Sequence, residues 1–172
     1  MKKIVFSLIA TLIISVSLNA QTESVKKMPS VNIKTIDGKA FNTSDITNNG
    51  KPIIVSFWAL WCKNCIKELN AIKDVYEDWQ DETGVVLYAV SIDDAQRNAN
   101  AKSFANSKEW EYELLLDPNQ DLKRALNVGN IPHTFVLNGK GEIVWQHTSY
   151  FDGAEDELYE VVKKVAAGKK ID

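Results

Sequence analysis

Ser56-Phe57-Trp58-Ala59-Leu60-Trp61-Cys62-Lys63-Asn64-Cys65 is the stretch whose reading decides the fold. It begins inside the run Ile53-Ile54-Val55-Ser56-Phe57-Trp58, opened by Pro52. That run is nearly all apolar and mostly β-branched or aromatic, as expected of a strand buried on both faces. From Cys62 the period changes. Ile66, Leu69, Ile72, Val75 or Tyr76, and Trp79 form one apolar helical stripe, which Gly84 ends. Cys62 and Cys65 are the only two cysteines among 172 residues. A disulfide framework would need several, and a structural zinc site would need two more ligands at short spacing. A C-x-x-C pair after an apolar strand and opening a helix is the arrangement of a dithiol that cycles between reduced and oxidised forms. A static bridge closing so few residues would remove very little unfolded-state entropy.

Working outward, Val31 and Ile33, then Ile36-Asp37-Gly38-Lys39-Ala40-Phe41, alternate around an Asp-Gly turn and predict a β-hairpin. Thr43-Ser44-Asp45-Ile46 predicts a short helical turn. Val85-Val86-Leu87-Tyr88-Ala89-Val90 reads as a second buried strand, and Asp93 and Asp94 as N-cap candidates for a helix reaching Phe104 to Ser107. Glu113-Leu114-Leu115-Leu116 is a short strand, Asp117-Pro118-Asn119 a turn, and Leu122 to Leu126 a helix. Thr134 to Leu137 and Glu142 to Gln146 flank Asn138-Gly139-Lys140-Gly141 as an antiparallel hairpin, and Leu158, Val161, Val162 and Val165 mark a final amphipathic helix. The order hairpin, β, α, β, α, β, α, β-hairpin, α implies an α/β fold: a mixed sheet flanked by helices, with a right-handed β-α-β crossover.

Residues 1–20 read as a secretory signal: Lys2 and Lys3, an apolar stretch from Ile4 to Leu18, and a small-residue cleavage site at Leu18-Asn19-Ala20. The apolar run is shorter than the roughly 18–20 residues of a spanning helix. The expectation is cleavage and an extracytoplasmic, oxidising compartment, the periplasm. Residues 21–30 are polar and expected as a flexible lead-in, with one domain over 31–172. Removing two lysines from the 20 Lys+Arg leaves 18 against 23 Asp+Glu, a net charge of −5. That balance gives no footprint for nucleic acid or anionic lipid.

The segment Ser56 to Cys65, with Val128-Gly129-Asn130-Ile131-Pro132-His133-Thr134-Phe135 and Asn138-Gly139-Lys140-Gly141-Glu142-Ile143, resembles the thioredoxin-like superfamily. The similarity is to its extracytoplasmic thiol-disulfide oxidoreductases of the TlpA and ResA type, and it covers roughly Val31 to Ala167. The leading hairpin and the extra helix and strand around residues 93–116 resemble the TlpA-type elaboration, a central α-β insertion. The resemblance implies that Cys62 is the exposed attacking thiol and Cys65 the buried resolving one. A helix N-terminus favours a thiolate at Cys62, and Lys63 adds to that field. It also implies that Pro132 is a cis-proline against the dithiol and that Ile131 offers its backbone to a bound substrate strand. The alternative is a trans proline that starts an edge strand.

Glu68 follows Cys65 by one helical turn. The resemblance implies proton handling near the resolving thiol; the competing reading is a glutamate on the solvated helix face. Ser56 stands where cytoplasmic thioredoxins carry a buried aspartate, and a serine is no base at neutral pH. Lys63-Asn64 between the cysteines, in place of Gly-Pro, leaves the redox potential open across about −270 to −120 mV. Trp61 reads as a docking surface and Trp58 as core. His133 reads as a half-exposed strand residue that alternatively lies near the dithiol, His147 as structural, and Trp110, Trp145 and Phe151 as packing residues.

The resemblance implies, as partners, cysteine-bearing envelope proteins, apocytochrome c among them, and a membrane thiol reductant of the DsbD or CcdA type. A monomer without cofactor or metal is expected. The rival from another class is a copper-delivery module of the Sco type, in which His133 or His147 would complete a soft site. A thiol peroxidase of the peroxiredoxin type ranks third, because Ala59-Leu60-Trp61 precedes Cys62 where T-x-x-C is needed.

Overall fold

The computed structural model describes residues 26–171. The expected signal segment and its cleavage site lie outside the described residues. Five helices pack on one seven-stranded mixed sheet. In chain order the elements are β1 (Asn32–Thr35), β2 (Ala40–Asn42), β3 (Ile53–Trp58), α1 (Lys63–Lys73), α2 (Tyr76–Thr83), β4 (Val86–Ser91), α3 (Asn98–Ser107), β5 (Glu113–Leu116), α4 (Asp121–Ala125), β6 (His133–Leu137), β7 (Ile143–Thr148) and α5 (Ala154–Ala166). The strand order is β2-β1-β5-β4-β3-β6-β7. β3 runs parallel to β4 and β4 to β5, whereas β6 pairs antiparallel with β3 and with β7, and β1 antiparallel with β5.

All six residues of the central β3 are buried, because helices cover both sheet faces. Strand alternation sorts the faces. Ser56 bonds to Glu68 of α1, and Trp58, on the same face, stacks on Phe104 of α3 and meets Trp110 edge-on. The opposite face carries Phe57 against Phe135, with the Lys26 ammonium over the Phe135 ring.

Three expectations need correction. The single helix expected from Cys62 to Gly84 is two. The chain breaks at Val75 (φ −127°, ψ 5°), so that α2 places the Tyr76 hydroxyl to accept the Leu87 N–H at 2.8 Å and stacks Trp79 on Tyr159 of α5. An apolar stripe of constant spacing does not register such a break. Gly84 then closes α2 in the left-handed region at φ +67°. Asp93 and Asp94 do not cap α3. Asp94 closes a turn onto the N–H groups of Gln96 and Arg97, whereas Asp93 is buried. Residues 26–28 of the expected flexible lead-in are docked on the β6–β7 hairpin. Lys27 bridges to Glu142, the Met28 N–H donates to Gly141 O, and the Ile143 N–H to Lys26 O.

Candidate active site

The site grows out of the end of β3. Ala59-Leu60-Trp61 forms a tight turn in which the Cys62 N–H donates to Ala59 O at 3.0 Å. Asp93 fixes this turn from below: its Oδ2 accepts the Leu60 N–H at 2.9 Å and the Ser91 hydroxyl at 2.9 Å. Cys62 is the N-cap of α1, and its Sγ accepts the Cys65 N–H at 3.2 Å. A sulfur in the capping position lies against unpaired backbone N–H groups and the positive end of the helix dipole, which favours its thiolate. Cys62 and Cys65 are joined as a disulfide. Cys62 retains 7% exposure and Cys65 none, so access is one-sided, although Cys62 is more covered than an exposed thiol would be. Lys63 and Asn64 are exposed on the first turn of α1. Trp61 stands 60% exposed beside Cys62.

The Ile131–Pro132 bond is cis. His133 pairs with Phe57, so the register places Pro132 level with Trp58, at the sheet end from which the cysteine turn emerges. Pro132 is buried and Ile131 half-buried, and the Pro132 carbonyl accepts the Ser149 N–H at 2.9 Å.

Glu68 lies one turn behind Cys65 on the inner face of α1 and is 1% exposed. The solvated-face alternative therefore falls. Cross-strand register explains what holds the carboxylate: Ser56 pairs with Thr134, and Thr134 with His147, so three polar side chains form one row across β3, β6 and β7. Ser56 Oγ donates to Glu68 Oε2 at 3.2 Å. Thr134 Oγ1 lies 3.1 Å from Oε1, 3.3 Å from Oε2 and 3.0 Å from Ser56 Oγ, and His147 Nε2 lies 2.7 Å from Oε1. A buried carboxylate with four polar contacts is a satisfied one.

His147 was expected to be structural, yet its ring reaches the dithiol's neighbour. His133 is half-buried on the opposite sheet face, within bonding distance of Gln146 at 3.2 Å and Thr148 at 3.1 Å, and burial pushes its pKa below the ordinary imidazole value. The two histidines thus point away from each other, and no Sco-like ligand set forms from both with the cysteines. Among the described residues no group of three or more His, Cys, Asp or Glu could hold a metal ion. Trp110 is buried and Trp145 half-buried, but Phe151 is 67% exposed rather than packed, because it lies in the loop between β7 and α5.

Against known proteins, the model of the AhpC/TSA family matches residues 25–146. The chain belongs to the AhpC/TSA family. Its relatives within the thioredoxin-like fold are named for dithiol chemistry. The thiol-disulfide oxidoreductase ResA of Bacillus thuringiensis (strain Al Hakam) is 26% identical over 140 residues, 81% of this chain and 77% of that one. Sporulation thiol-disulfide oxidoreductase A of Bacillus subtilis (strain 168) is 31% identical over 112 residues, 64% of this chain and 66% of that one. A solution structure of a thioredoxin-like protein from Porphyromonas gingivalis is 50% identical, covers 81% of this chain and 92% of its own, and superimposes with a TM-score of 0.74. This chain is a thiol-disulfide oxidoreductase of the ResA type, with Cys62–Cys65 as its one cysteine pair.

Proposed function

We propose that the enzyme works outside the cytoplasm as a reductant of disulfides in envelope proteins, apocytochrome c being one candidate, and is itself reduced by a membrane dithiol protein of the DsbD or CcdA type. The observation that carries this reading is the buried Glu68 carboxylate one helical turn behind the fully buried Cys65. A negative charge there disfavours a thiolate at Cys65. Dithiols that are strong oxidants owe their potential to a stabilised reduced form. A carboxylate that withholds this stabilisation moves the pair toward the reducing end.

In the proposed cycle, the Cys62 thiolate attacks one sulfur of the partner disulfide, and the partner's other sulfur leaves as a thiolate. Cys65 then gives up its proton, attacks Cys62 Sγ and releases the partner's second sulfur, so two electrons have passed to the partner. Glu68 is the acceptor for the Cys65 proton, since Ser56 is no base. Trp61 and the backbone of Ile131 beside cis-Pro132 receive the partner's chain.

The test combines two measurements. Equilibration of Cys62–Cys65 with glutathione or dithiothreitol should give a potential near the thioredoxin end, about −270 mV; a value near −120 mV would make the protein an oxidant and overturn the direction. Cys62→Ser should abolish reduction of insulin disulfides, while Cys65→Ser should trap mixed disulfides with envelope proteins. Full turnover by Cys62→Ser would remove that residue as nucleophile.

A further inference from the structure

We propose that His147 is a positioning residue of the dithiol chemistry: it holds the Glu68 carboxylate and makes the Cys65 step respond to pH through its own imidazole. The inference rests on the oxidoreductase reading above. It starts from an asymmetry around the buried carboxylate. Ser56 and Thr134 are hydroxyls that never carry charge at neutral pH, whereas His147 is the only charge-changing side chain within hydrogen-bond distance of Glu68 among the described residues. Its contact, 2.7 Å to Oε1, is also the shortest of the set. The His147 side chain keeps 16% exposure against 1% for Glu68, so it is the point where this internal cluster meets solvent.

The consequence follows from charge. With His147 protonated, Glu68 is one half of an ion pair, its negative charge compensated and its basicity reduced. With His147 neutral, the ring donates or accepts at most one hydrogen bond, and the buried carboxylate is free to take the Cys65 proton. Resolution of the mixed disulfide requires that proton to leave: the S–H bond of Cys65 breaks, the new bond forms to Cys62 Sγ, and the partner's sulfur departs as a thiolate. His147 therefore sets how readily Glu68 serves the second half of the cycle and leaves the first half, the attack by Cys62, alone.

Other titratable groups around this pair do not supply the same response. Tyr112, ahead of β5, and Tyr150, after β7, both sense Glu68; burial drives both phenols up, Tyr150 to about 12, so both stay neutral near pH 7. Glu155 of α5 is engaged by the Tyr150 hydroxyl at 2.9 Å. Lys63 and Lys67 are exposed on α1, and Lys26 lies over Phe135 on the far face. His133 is the one other imidazole; it senses both His147 and Glu68 but lies on the opposite sheet face with Gln146 and Thr148.

The experiment uses the reduced protein and 5,5′-dithiobis(2-nitrobenzoate), whose two coloured thiolates report the two halves of the cycle separately. Cys62 attack releases the first, and Cys65 resolution releases the second. Stopped-flow rates are followed from pH 5 to 8 for wild type, His147→Gln, His147→Phe and the control His133→Gln. Gln retains an amide donor for Oε1 without a titrating charge, and Phe retains the ring against Trp145 without a donor. The first phase should be unchanged in all three variants. The second phase should lose its pH-dependent inflection in His147→Gln and slow by about tenfold in His147→Phe. His133→Gln should keep the wild-type inflection. Superimposable second phases for His147→Gln and wild type would leave His147 structural, and loss of the inflection in His133→Gln would assign it to the other ring. If His147→Phe does not fold, His147→Gln decides alone. Wild type releasing fewer than two thiolates would instead sink the dithiol reading itself.

Discussion

Glu68→Gln isolates the charge at the centre of the site with the least structural disturbance. Glutamine is nearly isosteric, matches glutamate in helix propensity, and can still meet Ser56, Thr134 and His147 with one carbonyl and one amide. What changes is the electrostatic field at Cys65. Side chains three residues apart on a helix are separated by about 5–6 Å. Two unit charges about 6 Å apart interact by roughly 0.7 kcal/mol in water and about 2.8 kcal/mol at the effective dielectric constant of about 20 that suits protein sites. The carboxylate is 1% exposed and Cys65 fully buried, which places the pair near the upper figure. At 1.36 kcal/mol per pK unit, removing the charge should lower the pKa of the site's thiol by about two units, and by no less than about half a unit. The sign is fixed by like charge: a carboxylate beside a thiolate disfavours it, so its loss favours the thiolate. Iodoacetamide labelling of Cys65 against pH, followed in a Cys62→Ser background so that no other thiol reacts, measures this, with a denaturation curve as control for the fold. The step that depends on Cys65 giving its proton to a base should slow at the same time, since the amide accepts no proton. A reactivity profile superimposable on that of the same background with Glu68 retained, with rates of mixed-disulfide release equal to wild type, would refute the reasoning and reduce Glu68 to a buried structural acceptor.

Trp61 is exposed and supports no core packing, so Trp61→Ala should change stability by less than about 0.5 kcal/mol while raising KM for a protein disulfide such as insulin. It should leave the reaction with a small aromatic disulfide intact, and an equal loss on both substrates would remove the docking role. Gly139 in the β6–β7 hairpin packs so closely on Gly50 that an added Cβ would lie 2.1 Å from the Gly50 carbonyl oxygen. Gly139→Ala should therefore cost about 1–3 kcal/mol in urea unfolding through forced backbone movement, without altering thiol reactivity; an unchanged midpoint would mean that the hairpin yields freely.

The elements of this fold were legible because their signals are local: a change of hydrophobic period at Cys62, an Asp-Gly turn, an Asn-Gly hairpin. The helix break at Val75 was not, because Tyr76 and Trp79 keep the spacing of a continuous stripe while bonding to Leu87 and stacking on Tyr159, partners that no window of neighbouring residues contains. The site divides along the same line. Cys62, Cys65 and Glu68 follow one another along a single helix, so their adjacency is a matter of helical spacing. Ser56, Thr134 and His147 are 78 and 13 residues apart in sequence, and they converge only because two antiparallel pairings bring them into one row. Ser56 alone is the single polar residue of an otherwise apolar strand, a local trace; Thr134 follows His133, and His147 lies between Gln146 and Thr148, so neither stands out in its own strand. Desolvation gives that trace its meaning. A glutamate turned inward at Glu68 would be costly unless donors met it, so a buried carboxylate on α1 demands polar residues on the strands beneath. Asp93 obeys the same logic: no N-cap is needed at that point of the chain, and the Leu60 N–H in the turn before the dithiol is what its carboxylate satisfies. Glu68 and Asp93 thus serve as anchors of the cysteine turn, one from behind and one from below, and the strands carry hydroxyls and an imidazole because those two acids are there.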